Sequence, residues 1–198
     1  MTPRSERDVI LEHALQSKEN LEIALKIGAA YDDLIGNVIV RFLRVVESNL
    51  STRLGERWKI TICSDLQELS GRYVELLTAA LLDNPGQFHI ALGADDLGYP
   101  KKVWVGVRAP KASLEIQAKV KQAIERLFPN GKSGDPSFWW RYFDKSYVSW
   151  GNEDTPLLLY GKSEALDSVV GNLECLARAI QESLDSDTNS TPSLRAIP

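Results

Sequence analysis

Residues 87 to 108, "QFHIALGADDLGYPKKVWVGVR", decide the architecture. Phe88, Ile90 and Leu92 alternate with other residues, as a strand with one buried face requires. "KKVWVGVR" then supplies a second run rich in β-branched and aromatic side chains. A loop over 93–100, carrying Gly, Asp and Pro, joins them, so the pair reads as an antiparallel hairpin. Upstream, "RWKITIC" (57–63) puts Trp58, Ile60 and Ile62 on one face and Lys59 and Thr61 on the other, which adds a strand.

Helices surround these strands. Residues 8–30 read as helix, with Leu11, Leu15, Leu21 and Leu25 broadly on one side, and with Glu19-Asn20 and Gly28-Ala29-Ala30 as the two places where it could be interrupted. From Tyr31, the residues Leu34, Ile35, Val38, Phe42, Val45, Val46 and Leu50 follow helical spacing until Gly55 ends it. Two long helices therefore open the chain as a hairpin. Residues 66–82 also look helical, stopped by Asn84-Pro85-Gly86. Ser113 caps a helix to about Phe128, with Ile116, Val120, Ile124 and Leu127 inward. "PNGKSGDPS" (129–137) breaks it. A last helix starts near Ser163, with Leu166, Val169, Val170, Leu173, Leu176, Ile180 and Leu184 as its stripe. The expected fold class is α+β: a helical hairpin and further helices packed on a small, mainly antiparallel sheet. It forms one domain over 1–185, and 186–198 is a mobile tail.

Bulk composition fits that reading. The 198 residues are 43% hydrophobic and 25% charged, within the range of ordinary globular chains. No run of eighteen apolar residues exists and the first residues do not form a leader, so neither membrane spanning nor secretion is expected and the cytoplasm is the default address. Cys63 and Cys175 lie far apart among apolar neighbours, which suits reduced, buried thiols. With only His13 and His89 besides, no metal-ligand spacing arises, and neither a metal nor a cofactor is expected.

Tests for specific chemistry return little. "GKS" occurs at 131–133 and 161–163, but a phosphate-binding loop needs a glycine five residues earlier, where Arg126 and Pro156 stand. A metal-dependent nuclease needs acids on its strands, and these strands have none. Asp95-Asp96 reads as a solvated loop pair. His89 reads as a partly exposed packing residue rather than a general base. No catalytic residue is assigned.

Two features point toward binding. Residues 99–134 carry eight basic side chains against Glu115 and Glu125, a local charge of +6 set against −10 elsewhere. "SFWWRYFDKSYVSW" (137–150) holds seven of the sixteen aromatics. As a helix it aligns Trp139, Phe143 and Tyr147; as a strand it aligns Phe138, Trp140 and Tyr142. Either way one subset packs inward and the rest remains for contact. Full burial of both Trp139 and Trp140 would exclude a contact platform. The candidate binding residues are Lys101, Lys102, Arg108, Lys111, Trp140, Arg141 and Lys145.

The segment "NLEIALKIGAAYDDLIGNVIVRFLRVVESNLSTRLGERWKITIC" (20–63), the centre Trp104-Val105-Gly106-Val107, the pair Trp139-Trp140 and the later Trp150 resemble the region that follows the nuclease core in some bacterial proteins of the PD-(D/E)XK nuclease superfamily. The likeness spans roughly residues 20 to 182 and rests on spacing and aromatics. That family's nuclease core lies N-terminal to the helices and has no counterpart here, so no family catalytic residue carries over. The resemblance implies a free-standing accessory or recognition domain of bacterial and phage defence settings. The expected role is a non-enzymatic interaction domain that binds a protein or nucleic-acid partner through a basic and aromatic surface, with a homodimer as a further association. The rival is an enzyme whose dispersed site a single sequence hides, one that would gather His89, Asp95, Asp96 or Tyr99 in a deep pocket.

Overall fold

The computed structural model describes residues 5–63, 73–82, 84, 87–95, 102–143, 159–160 and 163–188. Lys101, Lys145, Asp96, Tyr99, Tyr147, Trp150, residues 64–72 of the expected third helix and the tail from 189 lie outside them, as does the side chain of Ser163. Helices α1 (Glu6–Ala14) and α2 (Lys18–Leu54) are followed by a short 3-10 turn and strands β1 (Trp58–Ile62), β2 (Tyr73–Leu81), β3 (His89–Asp95) and β4 (Lys102–Arg108). Helix α3 (Leu114–Leu127), strands β5 (Lys132–Gly134) and β6 (Ser137–Tyr142) and helix α4 (Ser163–Thr188) complete the chain. The class is α+β, with helices at the N-terminus and a small open antiparallel sheet packed against further helices.

The chain divides into two compact units, Met1–Asn37 and Val38–Pro198. In the first, Ser5 caps α1 by accepting from the Asp8 amide, and the Asp8 side chain returns the bond. Two helices do open the chain, but the division expected at Gly28-Ala29-Ala30 falls at Leu15–Ser17 instead. Alanine is the best helix former and one glycine costs only about 1 kcal/mol, so α2 runs straight through that triplet. Leu11, Leu15, Leu21 and Leu25, read as one side of a helix, are exposed.

In the second unit, α2 buries Ile39, Phe42, Leu43, Val46 and Leu50, a stripe at three- and four-residue spacing. Gly55 ends the helix as expected, because its φ of 67° is a left-handed conformation that a side chain would oppose. The sheet runs in the order β1-β2-β3-β4-β6-β5, every neighbouring pair antiparallel. β1 shows the expected alternation, and β3 with β4 forms the expected hairpin, although β3 continues through Gly93 to Asp95, where a loop was expected. β2 replaces the second part of the helix expected over 66–82. A register shift between Glu75 and Leu77 leaves the adjacent Leu76 and Leu77 both buried, which breaks the alternation that would have marked a strand.

One face of the sheet carries Ile90, Leu92, Val105, Val107 and Trp139, all buried, and turns to the helices. Each such side chain contributes on the order of 1.5–3 kcal/mol. Helix α4 lies against β3, α3 against β6, and the two helices pack on each other, with Lys119 of α3 donating to Ser186 of α4. Ser113 caps α3 as expected, accepting from the Ile116 amide, while Leu127 at its end is exposed. Arg53 of α2 reaches Glu174 of α4 at 3.0 Å; with Arg178 it holds that carboxyl below its ordinary range. Neither cysteine forms a disulfide among the described residues, and neither is buried as expected: Cys63 is half-buried and Cys175 exposed. Cys175 falls on the outward side of α4, whose buried neighbours Leu173 and Leu176 face the other way.

Candidate functional site

The opposite face of the sheet is where polar and aromatic side chains gather. Cross-strand pairing fixes it: Gly93 stands opposite Trp104, Trp104 opposite Tyr142, Gly106 opposite Trp140, and Lys132 opposite Trp140 on the far side. Because side chains alternate, Trp104, Gly106 and Arg108 share this face with Trp140 and Tyr142. Glycine at 93 and 106 leaves room for the broad indoles. The register of β5 against β6 shifts between Lys132 and Gly134, and the alternation shifts with it. Phe138, expected beside Trp140, instead meets Phe88 edge-on at 6.1 Å, while Ser137 comes within 3.5 Å of Arg108.

The aromatic stretch is thus a strand as far as Tyr142, and it divides as a strand should. Trp139 is fully buried beside Phe128, with ring centroids 6.1 Å apart. Trp140 and Tyr142 are half-buried, their rings 5.2 Å apart and nearly perpendicular. The condition that would exclude a contact platform is not met.

Trp140 and Tyr142 wall a cavity of about 240 Å³, together with Trp104, Asp95, Arg108 and the segment Ser133–Ser137. The Tyr142 hydroxyl donates to Asp95 Oδ2 at 2.6 Å. Arg108 pairs with Glu75 of β2, which neutralises its charge locally. The Lys132 ammonium stands 5.1 Å from the Trp140 ring centroid and 5.7 Å from that of Tyr142, a cation–π contact with both. The Trp104 indole N–H is buried without a hydrogen-bond partner.

Of the expected binding residues, the cavity brings together Arg108 and Trp140. Lys102 is exposed at the start of β4, opposite Asp95. Lys111 is exposed on the turn before α3 and takes no part in the cavity. Arg141 alternates to the helix side, its guanidinium 5.3 Å from the Phe128 ring centroid. Other members of the basic segment have local partners: Lys119 donates to Ser186 and Lys121 to Ser133. Tyr142, Ser137 and Lys132 join the site without having been singled out for it, and Asp95, named only for the enzyme alternative, lines the same cavity.

His89 lies at the end of β3, opposite Arg108, with Nδ1 3.1 Å from the Gln87 carbonyl oxygen. Burial lowers its pKa from the ordinary value, and the Arg108 charge lowers it further. The unfolded chain therefore holds the proton at pH values where the folded chain has released it. Stability should be fully present above about pH 6.5, the unfolded value, and fall as pH drops through the folded one. His89→Gln should flatten the pH dependence of the urea midpoint below about pH 6.5. An unchanged slope would show that His89 is not its source.

No group of three or more metal-ligating side chains converges among the described residues. No helix among them is long and apolar enough to cross a membrane. Comparison of the chain with protein-family models, with curated proteins and with solved structures finds no match.

Proposed function

We propose that this chain is an interaction domain that binds a protein partner through the open face of its sheet, over Trp140 and Tyr142. The carrying observation is the cavity these two half-buried rings wall, on the sheet face opposite to that of the buried Trp139. Aromatic side chains of this kind anchor protein interfaces because they bury a large area while losing little conformational freedom. A protein suits the site better than nucleic acid. Arg108 is already paired with Glu75, Lys111 and Arg141 lie elsewhere, and the carboxylates of Asp95 and Asp135 at the cavity repel phosphate. Of the residues the enzyme alternative would gather, Asp95 lines the cavity and His89 does not, while Asp96 and Tyr99 lie outside the described residues.

The test is affinity for a partner purified on the immobilised chain. Trp140→Ala combined with Tyr142→Ala should weaken binding at least about tenfold. Raising salt from about 50 to 200 mM should change it only a few-fold. A loss of about a thousandfold over that range would make the partner a nucleic acid. Binding indifferent to both ring truncations would remove this face from the interaction.

A further inference from the structure

We infer that the cavity beside Trp140 is a socket for a single arginine side chain of the partner. The inference rests on the interaction-domain reading and adds the chemistry of what enters. Size is the first constraint: about 240 Å³ falls below the roughly 300–1,000 Å³ of sites built for small molecules, and suits one side chain.

Charge is the second. Two carboxylates, Asp95 and Asp135, line the cavity, and neither forms an ion pair with a cation among the described residues. Lys102, opposite Asp95 across the β3–β4 pair, is exposed and makes no such bridge. The one cationic side chain in the lining, Arg108, is engaged by Glu75. Even with the Lys132 ammonium nearby, two carboxylates outweigh one cation, so the cavity favours a cation and disfavours phosphate or carboxylate.

The walls point the same way. Trp104, Trp140 and Tyr142 present π-electron faces, and a cation is attracted to them. The molecule already makes this contact: Lys132, which is not part of the lining, holds its ammonium over the Trp140 and Tyr142 rings. Arginine fits better than lysine, because a planar guanidinium stacks on an aromatic face while its N–H fork engages a carboxylate. Asp95 is held for that purpose by the Tyr142 hydroxyl at 2.6 Å.

The experiment follows the tryptophan indole N–H signals of the 15N-labelled full chain by NMR. The probe is the capped tripeptide acetyl-Gly-Arg-Gly-amide, with its citrulline and lysine counterparts as controls. The Trp140 signal, assigned with Trp140→Phe, should shift saturably with the arginine peptide at a Kd on the order of 1 mM. Citrulline, uncharged but nearly isosteric, should leave it in place. Asp95→Asn should weaken binding about fivefold, and Lys132→Met, which removes the competing ammonium, should strengthen it. The buried indoles of Trp58 and Trp139 should not move, which shows that each variant remains folded.

No shift with arginine, an equal shift with citrulline, or an Asp95→Asn protein that binds as well as the parent would overturn the socket. Tighter binding of the lysine peptide would overturn the assignment to arginine. If the ring truncations abolish partner binding while the arginine peptide leaves Trp140 unmoved, the socket falls and the interaction face stands. If partner binding also survives the truncations, both fall.

Discussion

Gly93→Ala should destabilise the protein by about 3 kcal/mol, near the upper end for overpacking a sheet. Gly93 lies on β3, which pairs with β2 on one side and β4 on the other, and it stands directly opposite Trp104. A methyl group there would fall within the space of the Trp104 indole and against the Val74 carbonyl oxygen. Neither obstacle yields cheaply, since Trp104 is only 6% exposed and the carbonyl belongs to the backbone of β2. Two other glycines calibrate the effect. At Gly106 the same methyl meets the Ser137 hydroxyl at 3.0 Å and Trp104 and Trp140 at 3.3 Å, so shifts of a few tenths of an ångström accommodate it at about 1 kcal/mol. At Gly171, inside α4, it meets nothing within 4 Å, and alanine should stabilise the helix by about 0.5–1 kcal/mol. Urea midpoints should therefore rank Gly171→Ala first, then the parent, then Gly106→Ala, with Gly93→Ala far below. A Gly93→Ala protein as stable as Gly106→Ala would mean that Trp104 is free to leave its place. The cavity wall would then be softer than the socket requires.

The elements that the sequence announced are those whose pattern comes from one covered face or one cap. β1 alternates because one side is covered and the other is exposed, and α3 begins where Ser113 can accept an amide bond. β2 escaped because the register shift between Glu75 and Leu77 interrupts its alternation, and its Leu, Ala and Glu content then reads as helix. β5 has three residues, all exposed, and exists as a strand only through its pairing with β6. The same limit governs the site. Arg108 and Trp140 were each chosen for their own chemistry, but β4–β6 pairing is what places them at one cavity. Asp95 was read as a turn residue, since nothing local foretells that the Tyr142 hydroxyl, 47 positions away, bonds to it. Register across a sheet is a property of the folded chain, and a site assembled by register is visible only as scattered parts beforehand.

Replacing the adjacent tryptophans one at a time should separate folding from recognition. Trp139→Ala removes a fully buried indole that packs on Phe128 and over the backbone at Gly131, where even a Cβ would intrude on the ring. The expected loss is about 3–5 kcal/mol, which is much of the stability of a typical domain. Trp139→Phe should cost far less, about 1 kcal/mol, because the indole N–H is buried without a hydrogen-bond partner and none is lost with it. Its affinity for the partner should equal that of the parent, since Trp139 faces the helices. Trp140→Ala should behave in the opposite way. Its ring is half-buried on the other face, with Lys132 over it and Tyr142 at its edge, so its removal should move the urea midpoint little. The partner should nevertheless dissociate at least about tenfold faster, because interface truncations act mainly through the off-rate. Two neighbouring residues of the same type thus give orthogonal results, one visible only in unfolding and the other only in binding. If Trp140→Ala instead unfolds the chain as readily as Trp139→Ala, the second ring belongs to the core, and the open face loses the anchor on which its binding role depends.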